Sequence, residues 1–208
     1  MSSRGDEARE IRRRIAADAR VLVVVAGPNG AGKTTFVETF LDPLGIRTVN
    51  PDAIARVLFP GSPEEAAYEA ARAADTVRAD LLDRGVSFCM ETVFSDATGA
   101  KLAFLEEARR RGYVVVLIFI GLESSALSAA RVVQRTEQGG HDVPDEKIAS
   151  RFPRVLENLG KALPFIDHAF LFDNSSADQP YRFVAELRGG RMVKRGAARP
   201  QWWISLGL

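Results

Sequence analysis

The chain has 208 residues, 46% of them hydrophobic, enough to bury one core of ordinary size. Its 28 Lys and Arg stand against 27 Asp and Glu, so no whole-molecule field draws it to nucleic acid or to an anionic membrane. A single cysteine, Cys89, excludes an internal disulfide, and the sequence carries neither a signal-peptide core nor a run of ~20 apolar residues, which together predict a cytoplasmic protein with no membrane partner.

In chain order, residues 6–19 predict an amphipathic helix, with Ile11 and Ile15 on one face and acids ahead of arginines as the helix dipole favours. VLVVVA at 21–26 is short and β-branched, the pattern of a strand covered on both faces. A second helix opens inside the glycine loop that follows and ends near Leu41, before Asp42, Pro43 and Gly45. After a short strand at Thr48 and Val49, a long helix starts at Ser62 with Pro63 in its first turn and carries Ala70, Ala74, Val77 and Leu81 on its apolar stripe. Then come a strand over 86–90 and a helix from Leu102 to Arg111, whose Arg109–Arg111 triplet and Gly112 read as a C-terminal cap. Residues 113–120 are the most strand-like segment, followed by a Ser/Ala/Arg-rich helix through Gln138 and a hinge at Gly139 and Gly140. Pro144 begins another helix, which Pro153 should kink or split. A strand over 168–172, a hairpin turning at Gly189 and Gly190, and a tail with Trp202 and Trp203 buried against the core complete the chain.

Strands alternating with helices imply right-handed βαβ units and an α/β layered fold with a mostly parallel sheet, whose ligands sit at the carboxyl ends of the strands. GPNGAGKT at 27–34 fits G-x-x-x-x-G-K-[ST] between a strand and a helix. The loop of Gly27, Pro28, Asn29, Gly30, Ala31 and Gly32, with Thr35 behind it, curls backbone N–H groups around phosphates. Lys33 reaches the β- and γ-phosphates of ATP, and the hydroxyl of Thr34 is placed to ligate Mg²⁺.

A phosphate loop alone does not choose among kinases, GTPases, motors and transporters, so the other strand ends decide. NPDAIA places Asn50, Pro51 and Asp52 after the second strand, where Asp52 serves as a base for an attacking hydroxyl or as the cap of the next helix. METVFS places Glu91, Thr92 and Ser95 after the third, where Glu91 orients the acceptor or the Mg²⁺ shell, or else forms a buried ion pair. Arg131 and Arg135 stand one helical turn apart, and His141, Lys147, Arg151 and Arg154 follow the glycine hinge. These residues suit a lid that neutralises a transferring phosphoryl group, over about 131–154. Asp173, Asn174 and Ser175 end the last core strand on the nucleotide side. No N-K-x-D guanine-reading segment and no LSGGQ-like signature occurs, which disfavours a GTPase and a transporter ATPase.

VVVAGPNGAGKTTF, NPDAIA, METVFS, RVVQRTEQGGHDVP with RFPR, and LFDNS together resemble the zeta-toxin-like family of P-loop kinases, in its small bacterial branch often labelled predicted ABC-type ATPase. The resemblance spans about residues 21–174 and implies a three-layer P-loop NTPase fold with a kinase-type lid, here followed by a C-terminal β-hairpin and tail over about 180–208 in one domain. It implies that Lys33 and Thr34 hold ATP and Mg²⁺, that Asp52 is the acceptor base, that Glu91 contacts the acceptor and that lid arginines complete the site. Where the family lid supplies a second arginine, this chain has His141. The resemblance makes UDP-N-acetylglucosamine the first candidate acceptor and an antitoxin protein a candidate partner. The alternatives are a kinase for another small molecule or a polynucleotide end, and a non-catalytic ATP-binding toxin or regulatory module.

Overall fold

The computed structural model describes residues 4–59, 67–137 and 143–207. Five parallel strands, β1 (Val21–Ala26), β2 (Arg47–Val49), β3 (Phe88–Thr92), β4 (Val114–Gly121) and β5 (His168–Asp173), are extended by the antiparallel β6 (Arg182–Arg188) and β7 (Arg191–Arg195). They form one sheet in the order β2-β3-β1-β4-β5-β6-β7. The helices are α1 (Arg4–Ala17), α2 (Lys33–Phe36), α3 (Pro51–Leu58), α4 (Ala67–Asp83), α5 (Ala100–Arg110), α6 (Ser125–Glu137), α7 (Asp145–Ala162) and α8 (Gln201–Ile204). A π-helical turn over Val37–Leu41 prolongs α2. Among the described residues no helix is long and apolar enough to cross a membrane.

Alternation along the strands divides the core in two. Leu22, Val24 and Leu117 face the layer of α4, α5 and α7, whereas Val23, Val25 and Ile118 face α1 and α2. Both faces are covered, which is why the parallel strands read as continuous Val, Ile and Leu runs with little polar alternation. Trp202 and Trp203 lie in the first of these layers, buried as expected, and the Trp202 indole donates to the Asp173 carboxylate at 3.1 Å.

Two open alternatives are decided and one local expectation, the place of Val77, is corrected. Pro153 sits inside α7 without splitting it; burial of Ile148, Val155, Leu159 and Ala162 along the helix outweighs the hydrogen bond that proline cannot donate. On α4 the buried stripe runs Ala70, Ala74, Arg78 and Leu81, while Val77 is 40% exposed and Arg78 only 3%. The guanidinium of Arg78 finds backbone carbonyls inside, which favours that helical phase over one burying valine. The cap of α3 is Asn50 and not Asp52: the Asn50 side chain accepts from the N–H groups of Asp52 and Ala53. The expected start of α4 at Ser62 and Pro63 lies outside the described residues.

Replacing Trp202 with alanine removes a buried ring and leaves Asp173 short of a donor, so it should cost about 3–5 kcal/mol of stability. The expected readout is a lower midpoint in urea unfolding, recovered only in part by Trp202→Phe, which restores packing against Phe119 but not the donor to Asp173; an unchanged midpoint for the alanine variant would contradict the buried placement of the ring.

Candidate active site

Parallel register brings the carboxyl ends of the central strands level. Ala26 pairs with Thr92 on one side and with Phe119 on the other, and Val49 pairs with Met90. The turns after β1, β2 and β3 therefore open on one edge of the sheet, as the topology demands. Between them and the helices α6 and α7 lies a cleft of about 910 Å³.

The loop after β1 supplies its floor. Gly27 has φ 150°, and a Cβ there would stand 2.1 Å from the Ile120 carbonyl, so only a hydrogen fits where the chain leaves the sheet. Lys33, in the first turn of α2, donates from Nζ to the Pro28 carbonyl at 2.8 Å, which folds its side chain back over the loop. Burial brings its pKa down to about 8, against the pull of the Glu91 and Asp52 carboxylates and with help from the Arg135 charge.

A hydrogen-bonded chain ties this loop to the neighbouring strand ends. Thr34 donates its hydroxyl to Glu91 Oε2 at 2.9 Å, and Asn50 Nδ2 donates to Glu91 Oε1 at 2.7 Å. Asn50 Oδ1 in turn accepts from the Asp52 N–H at 2.8 Å, which starts α3 and sets the exposed Asp52 carboxylate over the cleft. Burial pushes the Glu91 pKa up, although Thr34, Lys33 and Asn50 each favour its ionised form. Behind it, Arg78 Nη2 donates to the carbonyls of Glu91 at 3.1 Å and Val49 at 3.4 Å, clamping the ends of β3 and β2 together. Arg78 is also paired with Asp75, which holds Lys101 at 2.6 Å at the far end of the cleft.

Another part of the lining is cationic. Arg131 and Arg135 from α6, with Lys147 and Arg151 from α7, line the same cleft as Lys33, and the Ser128 hydroxyl of α6 donates to the Asn29 carbonyl of the loop at 2.7 Å. Val132 of α6 and Ile148 of α7 pack with Val143, just ahead of α7, in a small apolar cluster apart from the two main layers.

Of the residues expected from sequence, Asn29, Gly30, Gly32, Lys33, Thr34, Thr35, Asp52, Glu91, Thr92, Arg131, Arg135 and Arg151 meet on the cleft. Glu91 and Thr92 belong to β3 itself and not to a turn after it. Ser95, Arg154 and Asn174 are not on the cleft wall. Asp173 is fully buried and bound to Arg182, Ser175 and the Trp202 indole, so it does not face a nucleotide. His141 lies outside the described residues. Sequence reading missed Arg78, although a charge on the apolar stripe of α4 was a usable signal. It also missed Asn158, which donates to the carbonyls of Phe94 and Asp96, both at 3.0 Å. These bonds hold the turn after β3, where Phe94 adopts a φ of 64° that a bulky residue rarely takes. That partner, 64 residues away on α7, could not be read from local pattern.

A glycine-rich loop between a parallel strand and a helix, with cationic helices beside it and carboxylates at adjacent strand ends, is the arrangement of the P-loop kinase fold. Residues 6–179 match the zeta toxin family model, and the chain belongs to that family. An uncharacterized protein of Haemophilus influenzae is 26% identical over 130 residues, which are 62% of this chain and 91% of that protein. Among solved structures, the AvrRxo1-ORF1:ORF2 complex with ATP superposes with TM-score 0.64 at 20% identity, covering 90% of this chain and 66% of that one. The PezAT chromosomal toxin-antitoxin system of Streptococcus pneumoniae superposes with TM-score 0.58 at 16% identity, covering 89% of this chain and 82% of that one.

The lowered Lys33 pKa has a measurable consequence. The unfolded chain keeps this lysine protonated to about 10.4, so from about pH 8 upward the unliganded fold binds fewer protons than the unfolded state and its stability contribution rises with pH across that window. A bound triphosphate restores the proton. Affinity for inorganic triphosphate should therefore fall above about pH 8, by up to roughly tenfold per pH unit, with proton uptake detectable by calorimetry in buffers of different ionisation heat. Affinity independent of pH across this range would contradict it.

Proposed function

We propose that the protein is an ATP-dependent kinase that transfers the γ-phosphate to a hydroxyl of a small molecule. The observation that carries this reading is the continuous hydrogen-bonded path from Thr34 through Glu91 and Asn50 to the N–H of Asp52, which couples a phosphate cradle to a carboxylate facing the same cleft. A nucleotide triphosphate would lie along Gly30 to Thr35 with Lys33 against its terminal phosphates. Asp52 accepts the proton of the acceptor hydroxyl while the acceptor oxygen bonds to the γ-phosphorus and the bond to the β-phosphate oxygen breaks, releasing ADP. Arg131 and Arg135 face the spreading negative charge, and closure of α6 and α7 excludes water.

The Thr34 hydroxyl and the Glu91 carboxylate fit one edge of a Mg²⁺ shell. Among the described residues no cluster of three or more His, Cys, Asp or Glu could hold a metal alone, so nucleotide phosphates would complete the coordination. A Mg²⁺ ion held there would neutralise negative charge on the phosphates.

UDP-N-acetylglucosamine, the acceptor that the sequence resemblance implies, is the first to test, and the likeness to a toxin-antitoxin system supports an antitoxin protein as a partner. The structure solved with ATP supports the choice of nucleotide. The test is phosphorus NMR and mass spectrometry of the protein with Mg-ATP and a panel of nucleotide sugars and small alcohols, with Lys33→Ala as the control. A new phosphomonoester made by the native protein and not by the control is expected; ATP binding with no acceptor phosphorylated would instead support a nucleotide-controlled binding module.

Asp52→Asn should leave ATP binding nearly intact and lower turnover by about 10²–10⁴-fold, and full transfer by this variant would refute the base assignment. Arg135→Ala should depress kcat by roughly 10³-fold in the same assay, because it removes charge stabilisation at the transferring group; an unchanged kcat would demote it to a surface charge.

A further inference from the structure

The crossing from β5 to β6, residues 174–181, touches the phosphate loop at two consecutive peptides. Asn174, 8% exposed, donates from Nδ2 to the Ala31 carbonyl at 2.9 Å and accepts on Oδ1 from the Tyr181 N–H at 3.1 Å. Tyr181 donates its hydroxyl to the Gly32 carbonyl at 2.9 Å. Its ring stands edge-on to Phe36 and Phe40, with centroids 5.3 and 6.0 Å away, so the P-loop helix braces it.

Two further features mark this contact as specified. Tyr181 holds a φ of 52°, a left-handed conformation costly for a bulky side chain, and the surrounding bonds keep it there. At Gly32, itself at φ 86°, a Cβ would stand 2.8 Å from the Asn174 amide and 2.9 Å from the Tyr181 hydroxyl, so no other residue lets the crossing lie this close.

Across a trans peptide the carbonyl of one residue and the N–H of the next point in opposite directions. Holding the Ala31 and Gly32 carbonyls from behind therefore turns the N–H groups of Gly32 and Lys33 away from Asn174 and Tyr181. Gly32 and Lys33 line the cleft, whereas Asn174 and Tyr181 do not. We propose that Asn174 and Tyr181 are positioning residues that aim the N–H groups of the phosphate loop at the bound phosphates, acting through the carbonyls of Ala31 and Gly32. This rests on reading the loop as a phosphate cradle.

The test titrates native protein, Tyr181→Phe and Asn174→Asp with Mg-AMP-PNP and with inorganic tripolyphosphate, which lacks base and sugar. Tyr181→Phe deletes one hydrogen bond and keeps the ring, so both ligands should weaken by the same factor, roughly fivefold. Asn174→Asp sets a carboxylate oxygen against the Ala31 carbonyl and should weaken both ligands further, also in parallel; it carries the comparison if Tyr181→Phe fails to fold. Unchanged tripolyphosphate affinity in the folded variants overturns the proposal, and so does a loss confined to AMP-PNP, which would place Tyr181 at the base. If the native protein binds neither ligand, the cradle reading itself fails and this inference with it.

Discussion

The site is organised around the buried carboxylate of Glu91. At 7% exposure it would be expensive to ionise alone, since desolvation costs a lone carboxylate several kcal/mol. Each oxygen has a donor, Thr34 on one side and Asn50 on the other, and the Lys33 charge is close by. These partners come from two segments and Glu91 itself from a third, so the carboxylate fixes where the phosphate loop, the end of β2 and the end of β3 sit relative to one another. Removing any one partner would leave a buried polar group short of a hydrogen bond, and that asymmetry makes the junction rigid. Arg78 reinforces it from behind by binding the backbone of both strands and not their side chains.

The two sides of the cleft are anchored differently. The phosphate loop, Asp52 and Glu91 stand on strand ends and helix starts anchored in the main core, as preorganised electrostatics requires. The cations Arg131, Arg135, Lys147 and Arg151 stand on α6 and α7, where Val132 and Ile148 pack with Val143 in a small separate cluster while Val155, Leu159 and Ala162 of α7 join the main core. Helix α7 also reaches back through Asn158 to the turn after β3, so the helix that carries Lys147 and Arg151 holds that turn as well. The C-terminal part makes a comparable link to the loop after β1: Trp202 and Arg182 bind Asp173, and the next residue, Asn174, donates to the Ala31 carbonyl.

Much of this was legible in the sequence because it is carried by short-range pattern. The valine run of β1, the glycine loop after it, the strand-helix alternation and the hairpin glycines each follow from backbone preferences within a few residues. The carboxylates Asp52 and Glu91 were legible as candidates because strand ends of an α/β sheet converge whatever the connecting lengths. What the tertiary structure decided were contacts between residues far apart in the chain. Arg78 took the buried phase of α4 because the carbonyl ends of β2 and β3 offered it acceptors, which helical periodicity cannot reveal. Asn50 rather than Asp52 became the cap of α3, leaving the aspartate free for the cleft. Asp173 and Asn174, which local chemistry makes equally good nucleotide contacts, became supports because Trp202, Arg182 and the Ala31 carbonyl were brought to them. Sequence determined which groups were available at the sheet edge, since that depends on local propensity; tertiary packing assigned their tasks, since a polar group's role follows from which partner satisfies it on burial.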